Sequence, residues 1–573
     1  MRAVAAVVLA ACGAVSASAA ELRYTLTPEV EHGALRAIGV ELVLRGEDDG
    51  STEIELPNEW GGKSELWRGI SEFRVSGDGL RLSDGGSPFL KTLRHKPGAT
   101  LTVRYRITQF WQGEPTVNGS NEYRPIVQPG YFHIIGWTAF ARPRWRLATS
   151  ASVSFRGLAP GWRLASDLEH DQRSLSLADV LESVSVGGDF RVTTAGVLRV
   201  AMRGTWPFSD EAFVKRLDPI FASHNRFWGD EPAPYLVTVL PLIAEAGSMS
   251  LGGTGLGDAF AFFATDNMPD RELTRVLAHE HLHSWIPRRI GMMPQENDVS
   301  EYWLSEGFTD FYTNRLLVRD GLWSVEEVVR SLNAVMWAYA FSSVRNVSNT
   351  TLAGDFWKSQ AMNELPYQRG LLIAALADDK VRRASKGARD LDDVVLSMKR
   401  AIDAESNAAP PPAFRGHFVA KMKEQGVDVS ADIARFAEEG ETVLLPADIW
   451  APCGVLWTGE VAAFDRGFDG MKTIANKNVL VGVDPQGPAY AAGLRDGMRI
   501  RRLDLSEGRD SRVPLTYQVL LDGGGVRDIS YLPAGKRKVM LQELQLKTFA
   551  DTQSRAACAA RLGGDNGVAS AAR

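Results

Sequence analysis

Three of the nine histidines of the chain fall within the segment Ala278–His283. His279 and His283 are four residues apart, so on an α-helix they lie about 40° apart around the axis, on one face. Both rings can then offer a nitrogen to one metal ion, and Glu280 is close enough to act on a water at that ion. This pattern is typical of zinc sites whose glutamate serves as general base. His281 lies about 200° from His279 around the same axis, and we assign it a packing or solvent role.

A catalytic zinc site needs a third protein ligand and an open position for water. Glu306 is the candidate, because it lies among the apolar residues of a predicted second helix, whose buried stripe is Trp303, Leu304, Phe308 and Phe311. Burying a bare carboxylate is costly, and a metal ion would pair it. We therefore predict one zinc ion per chain, held by His279, His283 and Glu306. The alternative is a surface helix with chance histidines.

The hydrophobic pattern around these residues predicts a multidomain α+β protein. Alternating apolar residues between turn clusters predict a β domain over residues 21–195. We assign residues 196–450 to the catalytic core and a helical domain, and helical periodicity dominates them from Asp270 to about Glu438. Short strands with glycines return over residues 451–548. Residues 549–573 are rich in Ala and Gly and predict a flexible tail.

Composition excludes two classes of protein. The composition, 45% apolar and 23% charged, is that of an ordinary globular protein. With 573 residues, the chain is too long to form a single hydrophobic core. The formal net charge is only −6, and no run of Lys and Arg is present, so we expect no nucleic-acid partner. Beyond the N-terminus, no stretch reaches the ~18 apolar residues of a spanning helix, so we expect no transmembrane segment in the mature chain.

Residues 1–20 have the pattern of a secretory signal peptide. Arg2 precedes an apolar run, and small residues suit cleavage near Ala19. The pattern predicts an exported protein, either periplasmic or secreted. Leu9–Gly13 also resembles a bacterial lipoprotein cleavage box, which would leave the protein anchored by a lipid on Cys12. The soluble and the lipid-anchored forms both stay open.

Two cysteines remain after cleavage near Ala19, namely Cys453 and Cys558. In an oxidising compartment they could form a disulfide that ties down the C-terminal segment. The alternative is a pair of free thiols.

Four segments carry further motifs: His279–Trp285 followed by Arg288-Arg289, Trp303–Thr309, Pro366–Gly370 and Val483–Gly497. The last resembles the core of a PDZ domain. Together the segments resemble the glycyl aminopeptidase family of gluzincin zinc metallopeptidases over most of the mature chain. The resemblance implies an N-terminal β domain, a thermolysin-like zincin core, a helical domain and a C-terminal PDZ-like β domain.

The resemblance also implies roles. Glu280 would be the general base, and Tyr367 would donate its phenol hydrogen to the developing oxyanion, unless Tyr367 is only a core aromatic. The implied activity is zinc-dependent hydrolysis of peptide bonds in exported peptides or proteins. The PDZ-like domain would bind a peptide ligand by adding a strand to its sheet.

One segment departs from the family pattern. Members carry Gly-Gly-Leu-Glu-His where this chain has Gly252–Leu256, which is part of the glycine-rich turn that we predict over Gly252–Gly257. The backbone of Gly252 and Gly253 could still bind substrate. The glutamate that helps to hold the free amine of a substrate is absent, and Asp258 could replace it. An aminopeptidase, an endopeptidase with the same site and an inactive PDZ-bearing scaffold therefore all stay open.

Overall fold

The computed structural model describes the chain from residue 21 in segments, which are residues 21–117, 121–144, 147–169, 175–245, 248–294, 296–404, 411–503, 510–521 and 524–564. The proposed signal peptide, with Cys12, lies outside the described residues. The chain divides into two compact units. The first comprises the residues up to Val214 together with Ala233–Met268, and the second comprises Lys215–Pro232 and the residues from Pro269 onward.

The first unit is rich in strands. Its strands are β1 (Leu22–Glu31), β2 (Ala34–Arg45), β3 (Ser51–Glu55), β4 (Ile70–Ser76), β5 (Arg81–Asp84), β6 (Leu90–Arg94), β7 (Thr100–Ile107), β8 (Ile126–Gln128), β9 (Tyr131–Ile135), β10 (Arg142–Pro143), β11 (Ser150–Phe155), β12 (Arg163–Ser166), β13 (Leu175–Ser176), β14 (Val184–Gly188), β15 (Arg191–Ala195), β16 (Leu198–Met202), β17 (Tyr235–Pro241), β18 (Leu251–Gly255) and β19 (Ala259–Ala264). Its short helices are α1 (Gly136–Ala139) and α2 (Leu177–Leu181). Helix α3 (Asp210–Trp228) starts in this unit and continues into the second.

Alternation of apolar residues explains the largest sheet, whose strand order is β13-β11-β1-β2-β7-β4. In β2, Val40 and Leu42 are buried and pair with the buried Tyr105 and Val103 of β7. Because successive side chains of a strand point to opposite faces, this register gives the sheet one apolar face. The prediction of a β-rich N-terminal region is confirmed.

A five-stranded sheet of order β15-β16-β17-β19-β18 completes the first unit. Strands β16, β17 and β19 run parallel, and β18 is an antiparallel edge strand that pairs Gly253 with Phe262. The prediction of a turn over Gly252–Gly257 is therefore wrong for its first four residues, because Gly252 to Gly255 belong to β18 and pair with β19. A β-carbon on Gly253 would overlap the Phe260 ring and the Ala261 carbonyl oxygen, so this strand needs a glycine for packing.

The second unit is mainly helical. Beyond the end of α3, its helices are α4 (Asp270–Leu282), α5 (Tyr302–Arg319), α6 (Val325–Phe341), α7 (Asn349–Asp355), α8 (Gln360–Ala384), α9 (Leu391–Ala404), α10 (Phe414–Glu424), α11 (Ser430–Asp432), α12 (Gly470–Ala475), α13 (Pro488–Ala491) and α14 (Thr552–Gly563). Its strands are β20 (Gly454–Phe464), β21 (Arg499–Ile500), β22 (Leu515–Leu520), β23 (Val526–Tyr531) and β24 (Ala534–Leu546). Among the described residues, no helix combines the length and the apolar character needed to cross a membrane.

Residues 451–548 contain two small sheets. Strands β20 and β24 form an antiparallel ribbon, and β21, β22 and β23 form a three-stranded antiparallel sheet. A core of buried apolar residues, among them Leu480, Leu494 and Val519, lies beneath the three-stranded sheet.

Residues 552–563, which we assigned to a flexible tail, instead form helix α14. The Asp551 and Ser554 side chains make a capping box at its start, which satisfies free backbone N–H groups. A disulfide joins Cys558 of this helix to Cys453, so pairing rather than two free thiols is what the structure has. Composition alone predicted flexibility because alanine and glycine do not reveal these anchors.

Buried charges also fix α14. Arg315 of α5 pairs with Asp378, Asp390 and Asp392 at 3.2, 2.6 and 2.8 Å. Arg561 of α14 reaches the same Asp378 at 2.7 Å. Because buried charges are stable only when paired, this network ties the last helix to the helix that carries Glu306.

Candidate metal centre

Helix α4 presents the two histidines at its C-terminal end. The helix begins after Pro269 with the acidic Asp270 and Glu272 in its first turn, which suits the positive end of the helix dipole. His279 is in its last turn, and His283 immediately follows Leu282 as the C-terminal cap. The ring centroids of His279 and His283 are 4.9 Å apart, so the four-residue spacing brings both rings to one place.

Helix α5 brings Glu306 to the same point. Glu306 Oε2 lies 3.2 Å from His279 Nε2 and 3.3 Å from His283 Nε2, and the two Nε2 atoms are 3.2 Å apart. The candidate ligand atoms of the three residues all lie within 4.8 Å of one another. Two nitrogens and one carboxylate oxygen therefore converge from two helices.

The outer nitrogens of both rings are already used. Nδ1 of His279 donates to Asp310 Oδ1 at 2.9 Å, and Nδ1 of His283 donates to the Ile286 carbonyl at 2.9 Å. These bonds turn both Nε2 atoms towards Glu306, where each nitrogen could bind a metal ion in place of a proton. Two oriented imidazoles and a carboxylate are a donor set that zinc prefers, so the residues present fit a zinc ion.

Asp310 is a functional residue that the sequence analysis missed. It lies one turn after Glu306 on α5, and Arg275 of α4 approaches its carboxylate at 3.5 Å. Because residues four apart share a helix face, the spacing from Glu306 to Asp310 was a usable signal.

The histidines and carboxylates of this site stabilise each other's charged forms. Burial alone would lower the pKa of His279, but the carboxylates of Asp310 and Glu306 raise it to about 10. Burial would likewise raise the pKa of Glu306, but the two histidines hold it far below its usual range. The cluster therefore strongly attracts positive charge, as a cation site must.

Tyr367 of α8 lies beside the histidines. Its ring centroid is 5.9 Å from that of His279, and the residue is half-buried. Burial, and then the nearby Glu306 and Glu280, raise the pKa of Tyr367 well above its ordinary value. The phenol therefore keeps its proton and can serve as a hydrogen-bond donor. Glu280 is a half-buried residue of α4 between the two histidines.

His281 points away from this cluster. It is buried, stacks on Phe221 with ring centroids 3.5 Å apart, and shares a 2.9 Å hydrogen bond with His224 through the two Nδ1 atoms. Burial lowers the pKa of both rings. Both are therefore neutral, and one ring donates to the other.

The three residues expected to bind substrate belong to the first unit. Gly252 and Gly253 are in the edge strand β18, where Tyr123 donates a hydrogen bond to the Gly253 carbonyl at 3.2 Å. A β-carbon on Gly252 would meet only the Tyr123 hydroxyl, at 3.4 Å. Asp258 lies in the turn to β19, and its carbonyl accepts a bond from the Leu236 amide at 2.9 Å. Their role in substrate binding stays a prediction.

Residues 272–365 match the profile of the M61 glycyl aminopeptidase family. The matched segment contains His279, Glu280, His283 and Glu306, and it ends two residues before Tyr367. This part of the chain is peptidase-like. Among curated protein sequences, none matches the chain.

Solved structures show a related fold. An aminopeptidase N family protein from Idiomarina loihiensis superposes with a TM-score of 0.65 at 15% identity, covering 94% of this chain and 100% of its own. An M1 zinc metallopeptidase from Deinococcus radiodurans gives a TM-score of 0.46 at 14% identity, covering 74% of this chain and 93% of its own. Native yeast LTA4 hydrolase gives 0.47 at 14% identity, covering 76% and 70%. The first of these shows that the multidomain α+β fold is similar to that of the Idiomarina loihiensis protein.

Proposed function

We propose that this protein is a zinc metallopeptidase of the M61 glycyl aminopeptidase family, with one zinc ion per chain. The observation that carries the proposal is the convergence of His279, His283 and Glu306 on one point, with both rings oriented by hydrogen bonds. The family match over residues 272–365 supports the same assignment. Three protein ligands, rather than four, suit a catalytic rather than a structural ion.

The chain's own residues supply the proton transfers. A zinc ion in such a site is a Lewis acid that polarises the scissile carbonyl and makes water acidic enough to ionise near neutral pH. Glu280 accepts a proton from the attacking water and delivers it to the leaving amine, a role worth about 10²–10⁴ in rate. Tyr367 donates a hydrogen bond to the carbonyl oxygen as negative charge develops there.

The substrate is a peptide or protein, bound in part along β18. An edge strand can add an extended peptide, so the backbone of Gly252 and Gly253 would bind the substrate, and Asp258 would hold a free amine. The resemblance favours an aminopeptidase. An endopeptidase that uses the same site is the second candidate, because the family glutamate is absent from this strand. An inactive scaffold is the third.

The domain boundaries of the sequence analysis belong to the same proposal: a signal peptide at 1–20, a β domain at 21–195, a core at 196–450 and a PDZ-like domain at 451–548. The PDZ-like domain would bind an extended peptide. Its support is the motif Val483–Gly497 and the three-stranded sheet that follows α13.

We also propose export to the periplasm or the exterior. The pattern of residues 1–20 supports it, and so does the disulfide between Cys453 and Cys558, because such bonds persist mainly in oxidising compartments. Lipid attachment at Cys12 is the alternative form of the exported protein.

Metal analysis joined to a peptide-library digest tests the proposal. The protein should hold about one zinc per chain and cleave peptides, and His279→Ala and Glu306→Ala should lose both properties. Glu280→Gln should keep zinc and lose turnover, because an amide cannot accept the proton. A wild-type protein that binds no zinc would refute the metal assignment. A wild-type protein that binds zinc but cleaves no peptide would favour the third candidate, the inactive scaffold. Mass spectrometry of the products separates removal of terminal residues from internal cleavage.

A further inference from the structure

Asp230 lies just beyond the end of α3, and its carboxylate gathers three donors from two distant segments. Oδ2 accepts hydrogen bonds from Trp285 Nε1 at 2.6 Å and from Arg289 Nη1 at 3.0 Å. Oδ1 accepts from Lys399 Nζ of α9 at 2.7 Å. One side chain therefore joins the end of α3 and the helix α9 to the segment Trp285–Arg289.

The segment Trp285–Arg289, which Asp230 contacts, also orients the candidate metal ligand His283. It begins two residues after His283, and the carbonyl of Ile286 within it accepts the hydrogen bond from His283 Nδ1 at 2.9 Å. His279 has a carboxylate, Asp310, as its direct partner. The Nδ1 atom of His283 instead bonds to a backbone carbonyl, and the position of that carbonyl depends on how firmly the segment Trp285–Arg289 is fixed.

The contacts of the Trp285 side chain fix the position of the segment Trp285–Arg289. The indole is buried and stacks in parallel on Trp228 with ring centroids 5.9 Å apart. Its only polar atom, Nε1, bonds to Asp230. The Asp230 carboxylate stays ionised, because Lys399 and Trp285 lower its pKa by more than burial raises it. Charge-assisted bonds of this kind are shorter and stronger than neutral ones.

We propose that Asp230 is a positioning residue for the metal centre: it fixes the segment Trp285–Arg289 and, through the Ile286 carbonyl, the ring orientation of His283. The inference rests on the proposed zinc function, and it assigns a role to a residue about 50 positions before the ligand. Residues that orient a metal ligand change metal affinity by about 10–100-fold when they are removed. A residue that only supported the fold would lower stability without this selective effect.

Zinc affinity measured by competition with a chelator tests the proposal. Asp230→Ala should raise the zinc dissociation constant about 10–100-fold. Asp230→Asn keeps an acceptor for Trp285 but loses the charge that binds Arg289 and Lys399, so we expect an intermediate increase. The matched control is Asp403→Asn, because Asp403 is the other partner of Lys399, at 2.8 Å, and its side chain is 53% exposed. That variant should change zinc affinity less than twofold.

A second readout uses the zinc-free protein. The ¹H–¹⁵N NMR signal of the His283 Nδ1–H group reports its bond to Ile286, and it should shift or broaden in Asp230→Asn and not in Asp403→Asn. If the wild-type protein binds no zinc, the proposed function fails, and this NMR comparison still decides whether Asp230 positions His283. A zinc dissociation constant and a His283 signal that both match the wild type in Asp230→Asn and Asp230→Ala would overturn the inference, whatever the variants do to stability.

Discussion

Gly307 of α5 and Gly370 of α8 lie against each other, backbone to backbone. A β-carbon on Gly370 would lie 2.8 Å from the Gly307 α-carbon and would overlap the Trp303 carbonyl oxygen. Glu306 directly precedes Gly307, and Tyr367 lies one turn before Gly370. The absence of two side chains thus allows the helices that carry the candidate third metal ligand and the proposed phenol donor to approach each other closely.

Gly370→Ala should therefore impair both stability and catalysis. Inserting a methyl group into a tight contact costs about 1–3 kcal/mol, and separating the helices would move Tyr367 away from Glu306. We expect a lower unfolding midpoint and a reduced kcat. Gly354→Ala is the control, because nothing lies within 4 Å of a β-carbon at that position of α7. Equal effects of the two substitutions would contradict the close-contact explanation.

Tyr367→Phe should slow the chemical step and leave substrate binding nearly unchanged. The phenol is expected to matter most when negative charge develops on the substrate oxygen, and loss of such a donor costs about 10²–10³ in kcat. Steady-state kinetics on one short peptide measures the effect. A change confined to KM would make Tyr367 a binding or packing residue.

Arg561→Gln should destabilise the protein far more than Arg555→Gln. Both arginines are in α14 and pair with carboxylates, but the Arg561 and Asp378 side chains are 11% and 3% exposed, whereas Arg555 and Glu326 are 48% and 40% exposed. Breaking a buried pair costs about 3–5 kcal/mol, and an exposed pair contributes about 0–1 kcal/mol. Urea unfolding of the two variants gives the comparison, and similar losses would show that the buried network is dispensable.

His133 should make the protein sensitive to acid. Burial lowers its pKa to about 3, whereas a histidine in an unfolded chain titrates near 6.5. Below pH 6.5 this histidine binds a proton in the unfolded chain but stays neutral in the folded protein. The free energy of unfolding therefore falls by about 1.4 kcal/mol per pH unit as the pH drops from about 6.5 towards 3. The effect is absent above pH 6.5.

The test is the slope of unfolding free energy against pH between 6 and 4. His133→Gln should flatten this slope, because the titrating group is gone, although loss of the bond to Thr238 at 3.1 Å will lower stability at every pH. His32→Asn, at an exposed position, serves as control. Parallel slopes for His133→Gln and the wild type would rule out His133 as the source.

Discrimination between free and blocked N-termini should be modest. Strand β18 lacks the family glutamate, so the proposed cleft has one fewer carboxylate for an ammonium group. We expect the kcat/KM of one peptide to fall less than about 100-fold on acetylation, which corresponds to about 2.7 kcal/mol. A larger ratio would show that another carboxylate holds the amine, and Asp258→Asn would then test that residue.

The sequence identified those site residues whose positions follow from the periodicity of a single helix. Helix periodicity places His279 and His283 on one face, and an isolated carboxylate in an apolar segment identified Glu306. The same rule of four residues would have found Asp310. Asp230 could not be found in this way, because its contacts to Trp285 and Lys399 join segments far apart in the sequence.

Long-range contacts also explain the two structural errors. A run of glycines is typical of a turn, but Gly253 is a strand residue because the Phe260 ring and the Ala261 carbonyl occupy the space of its side chain. The alanines of residues 549–573 suggested flexibility, but the partners that hold α14, namely Cys453 and Asp378, lie outside that segment. The pairing with Cys453 was one of the two alternatives that the sequence left open, whereas Asp378 cannot be inferred from local composition.

Helix α14 follows in the sequence all the elements that it contacts, and this order sets a condition on folding. Arg561 reaches Asp378 across 183 residues, and Arg319 donates to the Gly563 carbonyl across 244 residues. A chain that emerges from its N-terminus has α4, α5 and α8 available long before it has these partners. Asp378 can therefore pair with Arg315 and Arg382 before α14 exists, and it gains Arg561 only when α14 packs. A chain that folds in this order reaches its full stability only once α14 is in place, so a truncation before residue 552 should unfold more readily.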